Sequence, residues 1–102
     1  MTHPALRLDD TVHQRVRLGI LAVLEEAKRA DFGHVKDALD LSDGNLSRHV
    51  QVLEEAGLVR VEKGFEGRRP RTWLSATRAG RAALAAELKA LRELISRVDG
   101  GS

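Results

Sequence analysis

The stretch SDGNLSRHVQVLEEAGLV, from Ser42 to Val59, has two characters. Its second half reads as an amphipathic helix closed by a glycine, while its first half is small and polar, with one Arg and one His. Ser42 is a good N-cap residue, and Leu46, Val50 and Leu53 recur at helical spacing. A helix is therefore predicted between Ser42 and Gly57, with Gly57 in the left-handed conformation that ends many helices. Advancing about 100° per residue groups Val50 and Leu53 with Leu46 on one inward stripe. Gly44, Ser47, Arg48 and Gln51 fall on the opposite side, with Asp43 and Asn45 at the tip. His49 leans toward the edge of the inward stripe, where a histidine either packs against a neighbouring element, the commoner case, or contacts a DNA backbone. The opening turns are poor in helix formers, and Gly44 alone costs about 1 kcal/mol against Ala. Capping explains Ser42, and is one reading of Asp43 and Asn45, but it does not explain the outward set.

On the N-terminal side, Val12, Val16, Ile20, Val23, Leu24 and Ala27 follow helical spacing and predict a helix over about 10–29, with Asp9 or Asp10 near its start. Phe32, Val35, Ala38 and Leu39 mark a short second helix, for which Asp31 is a candidate cap. On the C-terminal side the period changes to two. Val59 and Val61 alternate with Arg60 and Glu62, as in a strand. Gly64 to Pro70 reads as a loop, with two glycines and a proline as breakers. Arg71 to Ser75 is the returning strand, where Trp73 is read as hairpin or core packing. Thr77 caps a last helix over about 78–97, and the terminal Gly100-Gly101-Ser102 is expected to fray. The predicted order is helix, helix, helix, strand, strand, helix. This is a mainly α fold with a small β-hairpin, a helix-turn-helix followed by a β wing, in which the third helix buries one stripe and leaves the other for a major groove.

Charge is concentrated in one place. The chain carries a net +2, but residues 60–81 hold seven Lys/Arg (Arg60, Lys63, Arg68, Arg69, Arg71, Arg78, Arg81) against Glu62 and Glu66. An excess of five positive charges in one short stretch of a near-neutral chain is the pattern of an anion-contacting surface. Arg68, Arg69 and Arg71 crowd around Pro70 on the hairpin, beside the polar face of the third helix. Arg reads guanine, Gln and Asn read adenine, and Ser serves either. Arg also pairs with phosphate in bidentate fashion.

The segment LSDGNLSRHVQVLEEAGLVRVEKGFEGRRPRTWLSATRAGRAAL resembles winged-helix bacterial transcriptional regulators of the ArsR/MarR kind, especially the short winged-helix DNA-binding-domain proteins of that group. The resemblance rests on Leu41 to Val59, on the charged wing, and on the LSATRAGRAAL entry into the last helix, and it extends over about Val12 to Leu84. It implies a homodimeric, repressor-like regulator of double-stranded DNA. Carried over by position, the recognition residues are Asp43, Gly44, Asn45, Ser47, Arg48 and Gln51, and the wing residues are Lys63, Arg68, Arg69 and Arg71. The pattern departs from metal-sensing ArsR proteins, whose Cys-x-Cys positions are Asp31 and Gly33 here, and whose last helix carries His where this one has none. His3, His13, His34 and His49 lack the spacing of a closed zinc site. No metal and no cofactor are expected. The larger MarR proteins frame a ligand pocket with longer flanking helices, and no effector is read from this sequence.

One domain over residues 1–102 is expected, with a winged-helix core at about 10–76 and a dimerisation helix at about 77–98. Leu84, Leu88, Leu91, Ile95 and Val98 recur at spacings of four and three, the stripe of a helix pair. Glu87, Lys89, Arg92 and Glu93 are read as its rim. The competing reading folds this helix back on the first. There is no cysteine and hence no disulfide or thiolate site. No apolar run approaches a membrane span, and the first ten residues lack the features of a signal peptide, so a cytoplasmic protein away from membranes is expected. No nucleophile with a placed base, no phosphate loop and no carboxylate pair argues for an enzyme. The alternative to a DNA-binding regulator is a winged-helix module for protein–protein contact, which exposed apolar residues on the third helix would favour; only Val52 is of that type.

Overall fold

The computed structural model of the chain describes residues 3–100, so the expectation for Gly101 and Ser102 lies outside the described residues. A short 3-10 turn, Pro4–Arg7, precedes α1 (Arg15–Ala27), β1 (Arg29–Asp31), α2 (Phe32–Ala38), α3 (Asp43–Glu55), β2 (Val59–Glu66), β3 (Arg69–Ala76) and α4 (Arg78–Val98). The strands form one antiparallel sheet in the order β1-β3-β2. Val16, Ile20, Leu21 and Leu24 of α1 meet Leu46, Val50 and Leu53 of α3, Leu74 of β3 and Leu84 of α4 in one core. Each such side chain, fully buried, contributes about 1.5–3 kcal/mol.

The caps are local and follow the sequence. The side chains of Asp31, Ser42 and Thr77 accept the backbone N–H of His34, Asn45 and Gly80 respectively. At the end of α3, Leu58 N–H donates to Leu53 C=O at 2.9 Å and Gly57 N–H to Glu54 C=O at 2.9 Å. Gly57 sits at φ +77. These two bonds and the left-handed residue make a Schellman motif, which turns the chain from α3 into β2.

Four expectations need correction. The first helix begins at Arg15, not near residue 10, because Asp9 closes a turn of its own. Its carboxylate accepts from Thr11 N–H at 2.8 Å and Val12 N–H at 3.2 Å, and an extended Gln14 caps α1 instead. Val12 is nevertheless fully buried, which is why it shares the helical spacing. Second, the same helix ends at Ala27, and residues 29–31 are a strand that exists only through pairing with β3, Ala30 opposite Leu74. Third, residues 64–70 are mostly strand. The ladder runs out to Glu66 opposite Arg69 and leaves a two-residue turn, Gly67-Arg68. Gly67 has φ +64 at the first central position, where a type II′ hairpin turn requires glycine.

The fourth correction concerns α4. Glu87 is not a rim residue; it is 1% exposed. Its Oε1 accepts Asp9 N–H at 3.0 Å, and its Oε2 lies 2.6 Å from His13 Nδ1. Arg7 pairs with Glu93 one turn and a half further along. The residues before α1 are thereby strapped along α4. Leu84 is likewise spent on the monomer's own core, whereas Leu91 is half-buried and Leu88, Ile95 and Val98 are exposed. The helix therefore folds back on the body through its first turns and runs beyond it in its last.

Candidate nucleic-acid interface

α3 presents the two faces its spacing predicts. Leu46, Val50 and Leu53 are buried, and Asp43, Gly44, Asn45, Ser47, Arg48 and Gln51 are exposed on one continuous surface. A Cβ built on Gly44 meets nothing within 4 Å. The packing of this chain therefore gives no reason for a glycine there, although glycine weakens the helix. Asn45 Oδ1 accepts from Arg48 Nη2 at 3.0 Å, and Glu55 Oε1 accepts from Gln51 Nε2 at 3.1 Å. Both partners are solvent-exposed neighbours on the same helix, so these bonds orient the two side chains at little cost to exchange. Lys36 of α2 pairs with Asp43 at 3.2 Å and ties the first helix of the helix-turn-helix to the tip of the second.

His49 sits on the inner side of this helix, 8% exposed, with Nδ1 3.2 Å from Arg17 Nη1. Arg17 can only donate, so Nδ1 accepts and the imidazole is neutral here. Arg17 Nε donates in turn to Thr11 C=O at 2.6 Å. Burial first, then the charges of Arg17 and Arg48, push the His49 pKa below its ordinary value. The unfolded chain therefore takes up this proton first. Stability from this site is complete above the unfolded pKa, about 6.5, and falls as pH drops through and below it. Thermal melts at pH 7.5 and 5.5 should show wild type losing more stability than His49→Gln; equal losses would contradict the assignment.

The wing carries its charges unequally. Lys63, Arg68 and Arg69 are exposed at or near its tip. Arg71 is placed differently. Its guanidinium bonds Asp31, reaches Glu66 at 2.8 Å and lies 5.0 Å from the Trp73 ring centroid, a ring that Arg29 also covers at 4.1 Å. The hydrogen bond from His34 N–H, together with Arg71, holds the Asp31 carboxyl below its usual pKa. Arg71 thus latches the wing to the start of α2. In the sequence Asp31 is legible as a cap only, because its pairing with Arg71 spans forty positions and depends on β1. Between α3 and the hairpin runs an open groove of about 500 Å³, floored by Phe32, Val50, Val61 and Leu74 and edged by Ser47, Gln51, Glu54, Lys63 and Thr72. Among the described residues, no group of three or more His, Asp or Glu is arranged to hold a metal ion, and no helix is long and apolar enough to cross a membrane.

Three helices, the last with a polar outward face, followed by a basic two-stranded wing that shares its side of the molecule, define a winged helix. The chain belongs to the winged helix DNA-binding domain family, which it matches over residues 16–95. It is 40% identical over 68 residues to the uncharacterized protein MJ0432 of Methanocaldococcus jannaschii, covering 67% of this chain and 74% of that one. Among solved structures it resembles a transcriptional regulator homologue from Pyrococcus horikoshii, with a TM-score of 0.83 and 36% identity over 87% of this chain and 88% of that one. A MarR-family regulator from Silicibacter pomeroyi aligns with a TM-score of 0.65 and 28% identity, over 92% of this chain and 59% of that one. The fold is also that of the Mycobacterium tuberculosis regulator MOSR, solved in complex with DNA, with a TM-score of 0.70, 23% identity and coverage of 90% and 65%.

Proposed function

We propose that this protein is a sequence-specific transcriptional regulator that binds double-stranded DNA as a homodimer on an inverted repeat. The observation that carries the reading is the outward face of α3. Gly44, Ser47, Arg48 and Gln51 are exposed together, and Gly44 weakens the helix without relieving any contact inside the chain. A helix that must approach base edges closely supplies the missing reason. Arg48 and Gln51 set base preference, with Asp43, Asn45 and Ser47 at the entering end. Lys63, Arg68 and Arg69 contribute phosphate contacts that are indifferent to sequence, and Arg71 holds the wing at its angle.

The dimer rests on α4. Leu88, Ile95 and Val98 are 38%, 58% and 77% exposed, and Leu91 continues their line. The molecule measures 57 × 24 × 21 Å, long for its size. A second copy of the same stripe would cover it and set two recognition helices about one DNA turn, roughly 34–36 Å, apart.

Selection from a random duplex pool tests the reading. Wild type should recover a defined inverted repeat. Arg48→Ala should lose about 1–3 kcal/mol at one base pair per half-site and relax the choice there. The double substitution Arg68→Ala and Arg69→Ala should weaken selected and random duplexes alike. It should also lower the log–log salt slope by about 0.9 for each phosphate that is no longer neutralised. Undiminished preference in Arg48→Ala would refute the recognition assignment, and an unchanged slope would remove the wing from the interface.

A further inference from the structure

Phe65 has no role in recognition-helix docking or in dimerisation. It is 75% exposed, it stands two residues from the wing turn, and no side chain of the core cluster reaches it. Its strand register tells which way it faces. Val61 pairs with Leu74, Lys63 with Thr72 and Phe65 with Pro70. Directly opposed residues and those two positions along share one face of a hairpin. Leu74 is in the core, and Val61, Lys63 and Thr72 line the groove against α3. Phe65 and Pro70 therefore extend the recognition-helix side of the wing beyond the body. The other face carries Arg71, Trp73 and Glu66, which are committed to one another and to Asp31, and, opposite Glu66, the exposed Arg69.

An aromatic ring left in water at the end of a hairpin, on the same face as exposed Lys63, with exposed Arg68 in the turn and Arg69 on the opposite face, calls for a partner both anionic and able to accept an apolar group. A second wing would bring like charges together. The DNA minor groove meets both requirements: it is walled by phosphates, and its base steps admit apolar wedges.

We propose that Phe65, backed by Pro70, inserts as a wedge at a minor-groove base step beside each major-groove site, with Arg68 and Arg69 on the flanking phosphates. The proposal rests on the DNA-binding reading and goes beyond it, since it makes Phe65 a specificity-determining residue that acts through deformability. Pyrimidine–purine steps unstack most easily, so they should be enriched where the wing lands, and the bound duplex should be kinked toward the major groove.

The probe is the set of duplexes that wild type recovers from a random pool, labelled at both ends for energy transfer. Wild type should shorten the end-to-end distance. Phe65→Ala should bind about tenfold more weakly, leave the duplex straighter and lose the pyrimidine–purine preference at the wing position. Its salt slope and thermal midpoint should match wild type, because no charge and no buried side chain is removed. Phe65→Leu should keep most of the bend. If Phe65→Ala binds and bends as wild type does, or if wild type leaves its selected duplexes straight, the wedge is wrong while the DNA-binding reading stands. If wild type recovers no duplex, both fall together.

Discussion

Gly80→Ala should destabilise this protein by about 2–3 kcal/mol and lower its thermal midpoint by roughly 10–20 °C. At an exposed helical position the same exchange would gain about 1 kcal/mol. The sign reverses here because a Cβ on Gly80 would stand 2.0 Å from Leu58 O and 2.9 Å from Leu58 C. Both are backbone atoms and no rotamer change can relieve them. The site is also where the wing is joined to α4. Leu58 C=O accepts Thr77 N–H at 3.0 Å, and Thr77 Oγ1 donates to Gly57 C=O at 2.6 Å and accepts Gly80 N–H at 3.0 Å. Moving α4 away to admit a methyl group breaks this set and opens the packing of Leu84. Gly44→Ala is the contrast, expected to stabilise by about 1 kcal/mol, since its Cβ enters open space. Calorimetric or chemical melts of the two variants check both signs; a Gly80→Ala protein as stable as wild type would mean that the close approach is absent.

The second large effect is on assembly. Leu88→Asp combined with Ile95→Asp should leave a folded monomer at tens of micromolar, read by light scattering. Binding to an inverted-repeat duplex should weaken by about a hundredfold or more, because the second half-site is then no longer engaged at high effective concentration. Both side chains are exposed in the single chain, so helical content and melting of the monomeric unit should survive. Leu84→Asp should behave differently and unfold the chain, because Leu84 is 4% exposed within the core. A dimer that persists in the double variant would place the interface elsewhere.

The strap between α4 and the residues before α1 bears on both effects. Glu87 holds Asp9 N–H and His13, and Arg17, just beyond, joins Thr11 to His49 on α3. The helix proposed to pair two copies and the helix proposed to read DNA are thus connected by a short line of hydrogen bonds. It passes through a segment whose spacing alone predicts the start of a helix.

Several features are legible in the sequence, and they share one property: their cause lies within a few residues. Ser42, Asp31 and Thr77 cap because a hydroxyl or carboxylate reaches an N–H three positions ahead. Gly57 ends α3 because glycine adopts positive φ without strain. The inward stripe of α3 is separated from Gly44, Ser47, Arg48 and Gln51 by helical pitch. The charge excess of the wing can be counted directly. The features that emerge only in the folded chain depend on partners far along it. β1 is three residues with no pattern of their own, and becomes a strand because β3 offers an edge. The wing tip overrides Gly64 and Pro70 because the ladder propagates past them to a turn that Gly67 permits. Arg71 belongs by composition with Arg68 and Arg69, yet Asp31, brought close by the β1–β3 pairing, takes its charge. Glu87 follows the spacing of a solvated rim, and its burial follows from the segment around Asp9 that folds over it. Hydrophobic period and capping chemistry are local and readable, whereas the neutralisation or burial of a charge depends on which distant group the fold brings within hydrogen-bond reach.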